Sequence, residues 1–444
     1  MSTVTSAPVS TASSRVGRRP HAEFMQIWEE GYVSRQISFE SMHTPGGFIV
    51  SGGTLRRADG SLDRARILAY VDAVVASDPV FRLRLQRSFL GLTPPAWVPD
   101  EDFDLSRHVV FVDEPADLAA ADIRELAGAY DGTMPIDHPL WRIRVTPLTG
   151  GDVLVGTMLH HATLDGMSGM KVMSGITQKS ADEELPDPVD PFADARAARR
   201  VEMPYLALRE WWGRLASPKP RAAWRSYRAK PFLRRVRRVL ARNILPLRYA
   251  ADDAARARAL PPRHSAWRRL DAAVAGRRAR EHGGTLSDLL AAAIIGAWDG
   301  PQRVVRLRFP VSFHNPAEPH IRNHVRDMAV TGDADASLDA TIASVHAQVA
   351  ERDAAFDHDT VPGFPIGYST LLPWVSRPRY FCGGEVRAII PFPASLGHDQ
   401  FAAAGIMYNG SLFIGANMPI DRDVDGTVAR MADLLVGPGR EEAS

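Results

Sequence analysis

The chain has one cysteine, Cys382, in 444 residues. That excludes an intramolecular disulfide and any cysteine-built zinc site, and it fits a reducing compartment. Lysine is nearly absent. Four residues (Lys171, Lys179, Lys219, Lys230) are lysine and the other basic residues are arginine, which together with abundant alanine marks a GC-rich, bacterial coding sequence. No apolar run is long. The longest, Leu289 to Trp298, falls well short of the roughly 18–20 residues that a membrane-spanning helix needs. The first twenty residues, Met1 to Pro20, lack the apolar core of a secretory signal, so a disordered leader and a cytoplasmic protein are expected. Charge excess is also missing: 53 basic and 52 acidic residues leave +1. A globally basic nucleic-acid binder is thereby excluded. Nor is there an internal repeat at a solenoid period.

What is present is an ordinary globular balance, 45% hydrophobic and 24% charged residues, in a chain long enough for two or three units. Helical spacing over Leu62–Ala76 and Gly166–Ile176 interleaves with strand-like stretches at Gly47–Leu55, Val109–Val112, Trp141–Pro147 and Asp152–Leu159. His21–Ser34 and Pro115–Tyr130 read as further helices. A second such pattern follows: helices at Leu270–Glu281, Thr285–Trp298, Leu338–Asp357 and Asp425–Leu435, and strands at Val304–Phe313, Glu385–Pro391, Gly405–Tyr408 and Ser411–Ala416. The last two strands are joined over Asn409-Gly410. The expected organisation is a leader over 1–20, an N-terminal α/β layered unit over 21–180, a linker and crossover over 181–260, and a C-terminal unit over 261–444. Within the crossover, Pro204–Arg248 carries thirteen Lys or Arg against one acid, Glu210, with aromatics between them. Three readings stand: a solvated helix, an anionic membrane surface bound peripherally, or a dock for coenzyme A phosphates or an acidic carrier protein. No nucleic-acid reader motif accompanies the charge.

The chemistry concentrates in His160-His161-Ala162-Thr163-Leu164-Asp165-Gly166, between a strand and a helix. A strand end entering a tight turn can hold a side chain rigidly at a cleft. Successive strand residues face opposite ways, so one histidine is structural and the other reaches substrate. Asp165 orients a histidine or clamps the turn, and Gly166 suits a sharp turn or close approach. The bland alternative is a core histidine pair. A metal site would need His314, His320 and His324 near Asn323, but Pro316 and Pro319 favour a loop there and no HExxH pattern exists. No metal is expected.

The sequence resembles the bacterial wax ester synthase/diacylglycerol acyltransferase family, within the chloramphenicol acetyltransferase-like and condensation-domain superfamily. The likeness rests on the HHxxxDG motif and on Trp97 to Leu105 followed by His108-Val109. It also rests on Pro139-Leu140-Trp141, Asp165-Gly166-Met167-Ser168-Gly169, Phe309-Pro310-Val311-Ser312 with Asn323, and Gly383 to Gly415. The resemblance implies two chloramphenicol acetyltransferase-like subdomains with the active site in a tunnel between them. It also implies a thioester donor on coenzyme A or a carrier protein, no bound cofactor, and an alcohol or amine acceptor. Read from the residues, His161 is the general base, His160 and Asp165 are structural members of the catalytic motif, and Trp141 packs beneath the histidine strand. Gly166, Asn323, Ser369 and Thr370 are the expected substrate-binding or oxyanion positions, with the side chains of Asn323, Ser369 or Thr370, or a backbone N–H, as the donors. This chain departs from the family at Ser287-Asp288, where an Asn-Asp pair is usual, and at Ser369 to Trp374, where Ser-Asn-x-x-Gly-Pro is usual. Both are expected to line the tunnel, and they point to a specialised member. Two other functions remain open: a ligand-binding homologue without catalysis, and a condensation or cyclisation enzyme of the same fold.

Overall fold

Two mixed sheets of six strands each carry the chain, in a computed structural model that describes residues 17–25, 29, 33, 43–119, 123–126, 134–185, 187, 189–215, 263–312, 325–351, 367–393 and 401–439. In chain order the main elements are β1 (His43–Val50), α1 (Arg64–Ser77), β2 (Val109–Phe111), β3 (Trp141–Pro147), β4 (Val153–His160), α2 (Gly166–Gly175) and α3 (Met203–Leu215). There follow β5 (Arg263–Asp271), α4 (Ala272–Glu281), α5 (Leu286–Gly296), β6 (Val304–Ser312), β7 (Val325–Asp333) and α6 (Leu338–Ala350). The chain closes with β8 (Gly367–Pro373), β9 (Tyr380–Phe381), β10 (Gly384–Pro391), β11 (Phe401–Tyr408), β12 (Ser411–Pro419) and α7 (Val424–Val436).

The first sheet runs β9-β10-β1-β4-β3-β2 and the second β5-β12-β11-β8-β6-β7. β4 is central because all but one of its residues are buried, so it must be covered on both faces. In the second sheet, helices cover one face. α5 is apolar all round and buried from Asp288 to Ile295, as expected of a helix inside a core. It begins where Thr285 and Asp288 form a reciprocal capping box. The Asn409-Gly410 turn between β11 and β12 has both residues at positive φ, +47° and +80°, as a tight two-residue hairpin requires.

The strand β10 lies in the first sheet, paired with β1, although a boundary at 261 assigns it to the C-terminal unit. Its Ile389 and Ile390 are both buried and so need apolar cover on both sides. On one side that cover comes from the second sheet, whose Ile406, Tyr408 and Phe413 belong to the same core as Ile389 and Ile390. The two sheets are therefore joined by a shared apolar seam.

Other expectations are corrected. Arg19 and Pro20, placed in the leader, pair in parallel with Ala195 and Arg196. The start of the expected 21–34 helix is extended, because Glu23 and Phe24 pair with Trp97 and Ala96. The expected 115–130 helix is, among the described residues, only Ile123–Leu126. Ala116 instead donates its N–H to the Pro147 carbonyl and extends the sheet edge. The strands β5, β7 and β8 were missed. β5 reads Arg-His-Ser-Ala-Trp-Arg-Arg-Leu-Asp, whose half-buried polar positions hide the alternation. Most of the basic stretch, from 216 to 248, lies outside the described residues, and α3 contains its described beginning.

Candidate active site

β4 ends at His160, opposite His43 of β1, and its Leu159 sits opposite Trp141 of β3. His160 is fully buried. Its Nδ1 accepts the Ala162 N–H at 3.0 Å, which tightens the turn after the strand. An accepting Nδ1 carries no proton, so the neutral ring holds its proton on Nε2, an atom with no hydrogen-bond partner among the described residues. Burial, then the neighbouring His43 and His161, holds this imidazole well below the ordinary histidine range. It is neutral at physiological pH and acts as a structural strut.

His161 is the first residue of the turn and is only half-buried. It opens onto a cavity of about 370 Å3 between the two sheets. The walls are β1 at Gly46-Gly47, α2 at Met170 and Met173, β8 at Leu372, β10 at Ile390 and β11 at Ile406. The lining is mainly apolar with a few polar side chains, among them Arg142, Arg308 and Thr370, the usual character of a small-molecule site.

Asp165 is 2% exposed and caps α2 by accepting the Ser168 N–H at 2.9 Å. A carboxylate there also suits the positive end of the helix. It fixes where α2 starts and therefore where the Met170–Met173 wall lies. Gly166 follows. A Cβ at this position would stand 2.6 Å from Leu372 Cδ2, so the glycine lets α2 approach β8. Trp141 is buried, donates its indole N–H to the Phe81 carbonyl at 2.9 Å, and has His108 stacked on it at 4.4 Å. It is a rigid platform that also lines the cavity.

The other expected residues separate. Thr370 and Ser369 are neighbours on β8, and alternation sends them to opposite faces. Thr370 lines the cavity, whereas Ser369 is buried away from it. Ser287 and Asp288 are not among the lining residues. The Asp288 carboxylate is engaged by the Thr285 N–H and hydroxyl and by His346 Nδ1 at 2.8 Å, so helix capping is its work. Asn323, His314, His320 and His324 lie outside the described residues. Among the described residues, no group of three or more His, Cys, Asp or Glu side chains is placed to hold a metal ion. Cys382 is buried in a turn off the cavity, and burial raises its thiol above the ordinary value.

The cavity also contains residues that the motif reading passed over: Arg142, Arg308 and Tyr368. Arg308 lies 5.4 Å over the Tyr368 ring. Period two in β6 was the available signal. Val305 and Leu307 are fully buried while Arg306 and Arg308 stand on the other face. A cation repeated opposite a core face marks a lined cleft as readily as solvent.

A family model for the wax ester synthase/diacylglycerol acyltransferase catalytic domain matches residues 49–283. Two Mycobacterium tuberculosis proteins named for diacylglycerol O-acyltransferase activity align locally. One is 32% identical over 136 residues, 29% of this chain and 26% of the relative. The other is 39% identical over 107 residues, 24% and 23% of the two chains. The aligned stretch thus spans about a quarter of each curated relative. Solved structures match over nearly the whole chain. The wax ester synthase/diacylglycerol acyltransferase from Marinobacter aquaeolei VT8 superposes with a TM-score of 0.58 at 16% identity, covering 93% of this chain and 98% of that one. The first condensation domain of the calcium-dependent antibiotic synthetase gives 0.60 at 13% identity, covering 95% and 98%. These likenesses show the fold, two chloramphenicol acetyltransferase-like halves.

Proposed function

Since the chain belongs to the wax ester synthase/diacylglycerol acyltransferase family, we propose that it moves an acyl group from a coenzyme A or carrier-protein thioester to an alcohol or amine. The observation that carries the proposal is His161, a half-buried imidazole at a strand end, opening onto an apolar cavity between the two halves. In the proposed step the imidazole takes the acceptor's O–H or N–H proton while the oxygen or nitrogen attacks the thioester carbonyl. The tetrahedral oxyanion then collapses, the C–S bond breaks, and the imidazolium returns the proton to the leaving thiolate. A histidine suits this work because its ordinary pKa is near 6.5. The Thr370 hydroxyl is the oxyanion donor supported by its place on the wall, with Asn323 a further candidate. Asp165 and His160 hold the turn. The thioester is a co-substrate and no bound cofactor is invoked.

The test is free-thiol release from a ladder of acyl-coenzyme A donors with mixed alcohol and amine acceptors. The expected result is multiple turnovers, with an acylated acceptor identified by mass spectrometry. Binding of acyl-coenzyme A without any turnover, for coenzyme A and carrier-protein donors alike, would replace this reading with that of a ligand-binding homologue. A cyclised or condensed product would replace it with the carrier-bound alternative.

A peripheral membrane role for the basic crossover is a second reading with its own support. Tyr205, Leu208 and Trp212, on one side of α3, are 67%, 51% and 61% exposed. Near the start of that helix, the Phe89 N–H bonds the Arg200 carbonyl, which brings in the exposed apolar turn of Phe89, Leu90 and Leu92. Arg199, Arg200 and Arg209 are exposed around these residues. Each arginine near an anionic leaflet contributes about 1 kcal/mol. Vesicles containing phosphatidylserine should sediment the protein, vesicles of phosphatidylcholine alone should not, and Leu90→Asp with Leu92→Asp should abolish the difference. Equal sedimentation with both lipids would remove the electrostatic part of the reading.

A further inference from the structure

We propose that Trp374 is the end stop of the acyl channel and sets the chain length this protein accepts. The inference rests on the acyl-transfer reading and adds a specificity determinant to it. α2 starts beside the histidine turn, at Gly166, and Ser174 lies eight residues further on. At about 1.5 Å per residue that places Ser174 about 12 Å along the helix. The cavity follows this helix, and both Met170 and Met173 face it. At the far end stands Trp374, which immediately follows β8 and lines the same cavity.

Trp374 is held from two sides. Its indole N–H donates to the Ser174 hydroxyl at 2.8 Å, and its ring stacks on Tyr408, 4.9 Å between centroids and 30° from parallel. The group behind it is fixed as well. Tyr408 donates its hydroxyl to the Val386 carbonyl and accepts the Arg379 N–H, both at 2.9 Å. The buried Arg379 guanidinium donates to the Ser174 and Thr177 carbonyls and to the Thr177 hydroxyl, closing the C-terminal end of α2. Carbonyls at a helix C-terminus otherwise lack partners, and a cation there complements the helix dipole. A tryptophan anchored to this clamp cannot swing aside without losing a hydrogen bond and a ring stack. The apolar Met170 and Met173 line the cavity between the histidine turn and Trp374, so the alkyl tail of the donor runs along α2 and stops at the indole.

The experiment uses the full chain and a ladder of acyl-coenzyme A donors from acetyl to palmitoyl, read as kcat/KM and as binding affinity by calorimetry. Wild type is expected to show an optimum, then a sharp fall for longer chains. Trp374→Ala should move the optimum to longer chains, with the ratio of long to optimal donor rising about tenfold or more, since pocket-length discrimination is typically 10–200-fold. Trp374→Phe keeps an aromatic ring but loses the Ser174 bond and part of the indole's bulk, so it should shift the optimum by less than Trp374→Ala does. A Trp374→Ala protein with unchanged melting temperature and an unchanged chain-length profile, in both kcat/KM and affinity, would overturn the proposal. Absence of turnover in wild type would instead overturn the acyl-transfer reading, and the affinity profile would still decide whether Trp374 ends the channel.

Discussion

Replacing His161 with alanine should lower thiol release about 10²–10⁴-fold, the usual contribution of a positioned general base, with little change in KM or melting temperature. The residue is only half-buried and sits on the turn outside the β4 ladder, so its removal leaves the strand pairing intact. His161 is one of many lining residues, most of them contributed by β1, α2, β8, β10 and β11, so the pocket keeps most of its wall and substrate binding should persist while chemistry fails. That split, a fall in kcat at nearly constant KM, identifies a group acting in the transition state. A loss smaller than tenfold would sink the base assignment. The comparison with His160→Ala is informative because that change should act on folding. It removes the acceptor for the Ala162 N–H and opens a void in a fully buried site, so a lowered melting temperature should accompany whatever activity is lost.

The second large effect concerns the seam between the halves. Gly415 lies mid-strand in β12, and a Cβ there would come 2.3 Å from the Pro391 carbonyl oxygen and 3.1 Å from Pro391 Cγ. Pro391 ends β10, the strand that the C-terminal part of the chain contributes to the first sheet. A backbone oxygen in a ladder cannot move aside as a side-chain end can. Gly415→Ala should therefore destabilise by about 1–3 kcal/mol, the typical cost of overpacking. Because Pro391 lines the cavity, the same change should also weaken acyl-coenzyme A binding. Gly150→Ala is the control. Nothing lies within 4 Å of a Cβ at that turn position, so stability should stay within about 0.5 kcal/mol. Denaturant midpoints for the two variants measure the difference, and equal midpoints would mean that the seam yields.

Features governed by near neighbours along the chain were legible. The short, nearly continuous apolar run over 153–159 identified β4, and the helical spacing after Gly166 identified α2. The adjacent histidines had to diverge at the strand end, and one is buried while the other opens onto the cavity. Elements with polar faces were less legible. β5 and β8 present half-buried polar side chains to the seam and cavity, and that mixture breaks the simple alternation. The pair Ser287-Asp288 shows the converse error. A motif position implied a tunnel lining, whereas the carboxylate is engaged by its own helix cap and by His346.

The sequence by itself determined the class of fold, the histidine turn and the general character of the chemistry, because these follow from spacing over a few residues. Only the tertiary structure decided which side chains share the cavity. Arg308 and Thr370 join His161 there, Ser369 is turned away by one step of the pleat, and Trp374 meets Ser174 across 200 residues of chain. It also decided that β10 leaves its own half to complete the other sheet. The reason is physical. Capping, turns and amphipathic spacing are satisfied within a turn or two of backbone, but a cavity exists only where surfaces distant in sequence have been brought into register, and register is set by the packing of both halves at once.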